Sequence, residues 1–166
     1  MSKIYVDEIL PKTTGGDISF GKLATIYPRG LDYYPAMLAR KTSTYSSSSG
    51  AGYWICTNVT FDEGSNYNTS TGKFTAPIDG IYHFDFFLLG QDGDNYDIHL
   101  RKNDATYADY DMRNNNSALE HNFTHGMSGL IKMDATDTCG IYVNSITNDI
   151  YGSGLNQLSI YLVTPV

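Results

Sequence analysis

Ile81 to Leu89 is the stretch that most restricts what this chain can fold into. Its odd positions are Ile81, His83, Asp85, Phe87 and Leu89, and its even positions are Tyr82, Phe84, Phe86 and Leu88. Side chains alternate across a strand, so both faces come out largely apolar. A strand covered on one face alternates more cleanly; this one belongs inside a sheet, with a layer packed against each side. Just before it, Pro77 cannot donate a ladder hydrogen bond and Gly80 accepts positive φ, so Ala76 to Gly80 reads as a turn. Tyr82, Phe84 and Phe86 are assigned to the core. His83, Phe87 and Leu89 are assigned to the opposite face, as an interface.

The remaining apolar pulses are also short and strand-like: Ala36–Arg40, Tyr53–Phe61, Gly72–Ala76, Tyr96–Arg101, Thr106–Tyr110, His121–Met133, Cys139–Val143 and Leu155–Val163. They are spaced like the strands of a sandwich, and helical periodicity is absent. The tract Ser43–Gly52, with five serines and two glycines, reads as a loop, as do Gly90–Asn95 and Asp111–Ser117. No Gly-X-Y or heptad repeat is present, which excludes a collagen or coiled-coil stalk within the chain. At 166 residues there is room for one domain with a sizeable core. The expected organisation is an arm over residues 1–27 and a head over residues 28–166.

Charge and composition exclude several functions. A net charge of -7 and a pI of about 4.8, with no cluster of Lys and Arg, argue against a nucleic-acid partner. No apolar run approaches the roughly 20 residues needed to cross a bilayer, and Lys3, Asp7 and Glu8 stand where a signal peptide is apolar. Membrane insertion is not expected. Cys56 and Cys139 read as two buried free thiols rather than a disulfide framework. The four N-x-S/T sequons beginning at Asn58, Asn68, Asn115 and Asn122 are read as turn and strand-edge residues.

Catalytic signatures are missing: there is no G-x-S-x-G elbow, no H-E-x-x-H and no phosphate loop, so an enzyme is not expected. No organic cofactor is implied. His121 and His125 fall four apart in one predicted strand and share a face, so that a trimer would set them in rings as a candidate metal site; satisfied histidines are the plainer reading, since no Cys or Glu completes the set. In "QDGDNYD", Asp92, Asp94 and Asp97 supply three hard oxygen donors of the kind that suit calcium, without the later Glu and flanking helices of an EF-hand. The alternative is a solvated acidic turn.

From about Pro35 onward the chain resembles the globular head of complement C1q and its relatives in the tumour-necrosis-factor-like superfamily. Phe61, Tyr67, Gly72, Phe74, Pro77, Gly80, Tyr82 and Phe84 match the family signature of a Phe, a loop, a G-x-F strand, a Pro turn and a G-x-Y-x-F strand. "LIKMDATDTCGIYV" resembles the L-x-L-x-x-G-D-x-V segment, with Asp137 in the acidic place and Thr136 where glycine is usual. "NQLSIYLV" resembles the closing strand, with Ile160 and Tyr161 where a small residue is common. The resemblance implies an all-β, ten-stranded jelly-roll sandwich assembled as a homotrimer. It also gives the second face of Ile81–Leu89 a neighbour to meet. A sandwich stacked on some other layer is the alternative.

The opening "MSKIYVDEILPKTTGGDISFG", with its I-x-V-D-x-I-x-P-x-T-x-G-G pattern, resembles the start of fibre and appendage proteins of marine bacteriophages. Ile4, Val6 and Ile9 are then anchors by which the arm docks on other virion proteins through added strands. An N-terminal edge strand of the sandwich is the plainer reading. Together the two resemblances imply a trimeric bacteriophage tail-fibre or appendage knob, located on the virion and binding a host cell-surface glycan or protein multivalently. Tyr45, Asp92, Tyr96, Asn114 and Asn115 are the expected ligand-contact positions. A capsid decoration or cement trimer is the second reading, and a depolymerase the third.

Overall fold

The computed structural model describes residues 34–91, 95–115, 123–152 and 154–166. The docking positions Ile4, Val6 and Ile9, together with the expected arm boundary at 27/28, lie outside the described residues. The unit that holds the described residues begins at Tyr34.

The strands are β1 (Ala36–Arg40), β2 (Gly52–Tyr53), β3 (Asn58–Asp62), β4 (Tyr67–Asn68), β5 (Lys73–Thr75), β6 (Gly80–Gly90), β7 (Tyr96–Lys102), β8 (Ala105–Asn114), β9 (Phe123–Met133), β10 (Thr138–Ile146) and β11 (Gln157–Pro165). One sheet runs β3-β1-β11-β6-β9; the other runs β4-β5-β10-β7-β8, with β2 also paired to β10. Every pairing is antiparallel. The only helix among the described residues is a 3-10 turn at Ser47–Ser49. Since strand side chains point alternately to opposite faces, each sheet turns one set inward. Tyr82, Phe84, Phe86 and Leu88 of β6 meet Ile98 and Leu100 of β7 and Ile141 and Val143 of β10 in one core, all 0% exposed.

β6 is paired with β9 along its whole length and with β11 from Gly80 to Phe87, which makes it an inner strand of its sheet. At its start, Gly80 serves close approach rather than positive φ. A Cβ there would fall 2.4 Å from Leu162 Cδ1, and Gly80 already pairs with Met133 and Pro165. The bend that precedes it is held by the Tyr82 hydroxyl, which donates to the Ile78 carbonyl at 2.8 Å.

Two sequence readings change. The pulse Tyr53–Phe61 is not one strand: β2 pairs with β10 and β3 with β1, so the chain crosses between sheets at Trp54–Thr57. Alternation persists through the crossing because Trp54 and Cys56 both point inward, and both are 0% exposed. The supposed loop Asp111–Ser117 begins as strand, since Asp111–Asn114 continue β8 opposite Tyr96–His99 of β7. Polar residues there alternate with Met112 and Asn114, both 7% exposed, so composition hid the periodicity.

The sheets are joined along one side where β8 meets β9. Tyr110 lies directly on Gly129, where a Cβ would come within 2.3 Å of the ring. Its hydroxyl accepts from Leu130 N and donates to Leu130 O, both at 3.1 Å, and its ring meets Phe84 edge-on at 4.9 Å. Asn156, fully buried, accepts from Leu89 N at 3.0 Å and donates to the Tyr151 carbonyl, pinning the loop before β11 to the end of β6.

Candidate functional site

The outer face of the five-stranded sheet is built from the residues that β6, β9, β11, β1 and β3 turn away from the core. Cross-strand register sets His83 between Tyr161 and Leu130, Phe87 between Gln157 and Gly126, and Leu89 beside Thr124. Leu38 stands opposite Tyr161's neighbour Ser159 on one side and Phe61 on the other. In the single chain His83, Phe87 and Leu89 are half-buried. Around them Leu130 is 51%, Tyr161 44% and Phe61 44% exposed, and Val163 at the adjoining bulge is 48% exposed. The His83 ring lies against that of Tyr161, centroids 5.0 Å apart at 32°, and its Nδ1 is buried without a hydrogen-bond partner. A sheet face with this many uncovered apolar groups is suited to association, because burying them removes apolar area from water.

The sequence singled out the β6 residues of this face but missed Leu38, Phe61 and Leu130. Each belongs to a strand far away in the chain, and only pairing register brings it here. Tyr161 was visible as a departure from the usual small residue, without its stacking on His83.

The two turns at one end of the six-stranded sheet are tied by Asp137. Its Oδ1 accepts from Asn103 Nδ2 at 2.7 Å, and its Oδ2 accepts from Asp134 N at 2.9 Å and lies 2.6 Å from Lys102 Nζ. The hydrogen bond from Asn103, followed by that from Lys102, lowers the Asp137 carboxyl to about 2. Thr136, just before it, has φ of 77°.

The family model of the C1q domain matches residues 36–160. The chain belongs to the C1q domain family. Solved structures with the same fold include the globular domain of zebrafish complement 1qA protein, at 13% identity and TM-score 0.65, covering 80% of this chain and 99% of that one. Murine APRIL at pH 5.0 is similar at 8% identity and TM-score 0.61, covering 79% of this chain and 100% of that one. Eiger TNF from S. frugiperda follows at 8% identity and TM-score 0.57, covering 80% and 94%. No curated protein sequence matches the chain. At these identities the structures establish the jelly-roll fold.

Within the C1q domain, the expected ligand-contact positions do not form one surface. Tyr45, 7% exposed, stacks on Trp54 with centroids 5.1 Å apart at 4°, and its hydroxyl donates to Gly50 O. Tyr96 is 1% exposed, with its ring stacked on Phe123 and its hydroxyl bonded to His125 Nδ1. Asn114 is buried at the end of β8, while Asn115 beside it is exposed. Tyr45, Tyr96 and Asn114 are thus packed inside the single chain: strand alternation turns Tyr96 and Asn114 inward, and Tyr45 is drawn in by its stack on Trp54. Asp92 lies outside the described residues.

The acidic set is also divided. Asp94, like Asp92, lies outside the described residues. Asp97 is engaged within the protein, with Oδ1 3.0 Å from both His99 Nε2 and Arg113 Nε and Oδ2 accepting from Asn144 Nδ2 at 3.0 Å. Burial pushes its carboxyl up, but the Asn144 hydrogen bond, His99 and Arg113 together hold it below the usual range. Among the described residues no group of three His, Cys, Asp or Glu side chains is placed to hold a metal. His121 lies outside the described residues, and His125 turns inward onto Tyr96 and Phe123, away from the outer sheet face. Cys56 and Cys139 are free and buried, and burial raises their thiols to about 11 and about 12. Among the described residues no helix is long and apolar enough to cross a membrane.

Proposed function

We propose that this C1q domain is a non-enzymatic recognition head that works as a homotrimer, carried on a bacteriophage virion as a tail-fibre or appendage knob. The observation that supports assembly is the uncovered outer face of the five-stranded sheet. His83, Phe87 and Leu89 lie there beside exposed Leu130 and Tyr161. Trimers are typical of this family. The virion setting rests on the opening I-x-V-D-x-I-x-P-x-T-x-G-G pattern, with Ile4, Val6 and Ile9 as docking anchors. The partners are then other virion proteins and a host cell-surface glycan or protein. Three copies of one weak site raise avidity without a chemical step. Calcium on the oxygen donors Asp92 and Asp94 is an accessory of the same head.

Adsorption measures the function directly. Purified chain added in excess should occupy host receptors and slow attachment of virions that carry it. Unchanged attachment, together with particles in which the chain sits only between capsid subunits by cryo-EM, would move the reading to a cement trimer.

A further inference from the structure

The opposite, six-stranded sheet carries a cluster that the assembly face does not use. On its outer surface Tyr53 of β2 and Tyr142 of β10 meet edge-to-face, with centroids 5.2 Å apart at 85°. The Arg101 guanidinium lies over the Tyr142 ring, 3.3 Å from its centroid. Lys73 Nζ stands 4.6 Å from the Tyr53 centroid and 2.5 Å from Asp104 Oδ1, and the Tyr53 hydroxyl donates to that same oxygen at 2.7 Å. The rings can lie this low because Gly140 sits beneath Tyr53, whose ring atoms fall 3.1 Å from where a Cβ would be.

Arg101 is the anomaly. The cations around it each hold a carboxylate: Lys73 holds Asp104, Lys102 holds Asp137, and Arg113 holds Asp97 and Asp111. Arg101 forms no ion pair among the described residues, and its Nε is buried without a hydrogen bond. Asp104 acts on it only through space, so in a chain of net charge -7 this half-buried guanidinium touches no carboxylate. Stacking on Tyr142 fixes its plane in advance, so little side-chain freedom is lost when a planar, bidentate anion arrives. A carboxylate is the anion that geometry fits.

The surroundings define what bears the carboxylate. Asp104 stands exposed at the rim, its Oδ1 already held by Lys73 and the Tyr53 hydroxyl. Asp104 also offers an acceptor for hydroxyl groups, Lys73 a donor, and the two tyrosines broad amphipathic contact with little rotamer freedom to lose. β7 and β10 lie inside their sheet with neighbours on both sides, so no free edge is available for an extended peptide to extend the sheet. We infer that Tyr53, Tyr142 and Arg101, with Lys73 and Asp104 at the rim, form a site for a hexuronic acid residue of a saccharide, the carboxylate on Arg101 and the sugar ring beside the two tyrosines, whose faces Arg101 and Lys73 already cover. The inference rests on the recognition reading of the head and is independent of where the head is mounted.

The test uses the full chain and three probes, namely trigalacturonate, its carboxyl-reduced neutral counterpart and a capped Gly-Glu-Gly peptide, with binding followed by calorimetry and ligand-observed NMR. Trigalacturonate should bind, with the neutral trisaccharide and the peptide each weaker by about tenfold or more, the size of losing a hydrogen bond to a charged group. Arg101→Gln should lose about tenfold for trigalacturonate, with its melting temperature and sedimentation unchanged. If Arg101→Gln does not fold, Lys73→Gln and competition by free galacturonate at matched ionic strength give the same readout. Equal binding of the neutral sugar, equal binding of the peptide, or no binding of trigalacturonate by the wild-type chain would overturn the site. None of these results bears on sedimentation or virion adsorption, so this site and the trimeric adhesion reading fail separately.

Discussion

Thr136 stands at φ of 77°, a conformation that costs a β-branched residue about 1–2 kcal/mol and glycine very little. A glycine would hold this place without strain, so Thr136 stands here at a cost. Thr136→Gly should raise stability by about 1 kcal/mol despite the added freedom of glycine in the unfolded chain, read as a higher melting temperature; a lower one would mean that Thr136 contributes more by contact than it loses by strain. Next to it, Asp137 has a folded-state carboxyl at about 2, below the ordinary carboxylate value of about 3.9. Its contribution is thus fully present above about pH 4 and is lost as pH falls toward 2. Asp137→Asn should be less stable than wild type at pH 7, with the gap narrowing over that acid range in thermal melts. The importance of an acid here was legible in the sequence, but its partners were not, since Asn103 and Lys102 belong to a different turn.

At the scale of elements, the most readable strand was β6. Its Tyr82, Phe84, Phe86 and Leu88 are all fully buried, and Tyr82→Ala or Phe84→Ala should cost roughly 3–5 kcal/mol by denaturant unfolding. A loss below about 1 kcal/mol would put those rings outside the core. Local alternation sufficed for β1, β6, β7 and β11 because each stays in one sheet with one face inward. It failed at Trp54–Thr57, where inward pointing continues while the chain changes sheets, and at Asp111–Asn114, where a strand written in polar residues looked like a loop. The β8–β9 seam was invisible to it as well: nothing near Gly129 announces Tyr110. Gly129→Ala should displace that ring, costing about 1–3 kcal/mol, and should speed amide exchange at Leu130, whose N–H donates to the Tyr110 hydroxyl.

For the whole molecule, the expected trimer has a specific weak point. Phe87→Asp places a charge on the outer face between Gln157 and Gly126, where association would have to bury it unpaired. Sedimentation of the wild-type chain at micromolar concentration should give a trimer, and of this variant monomers. A trimeric Phe87→Asp chain would place the contact elsewhere. Deleting Met1–Thr14 should leave the head assembled yet absent from virions, whereas a head that unfolds on truncation would make the opening segment part of the sandwich. Separating these events calls for a signal that reports cohesion of a subunit apart from its company, and Trp54 supplies one. It is the one tryptophan of the chain, 0% exposed at the crossing between sheets, flat against Tyr45 and edge-on to Phe86, with Lys41 Nζ 5.8 Å from its ring. Its fluorescence should stay blue-shifted when subunits part and turn red only when the two sheets come open, so one emission spectrum distinguishes a lone folded head from a denatured chain.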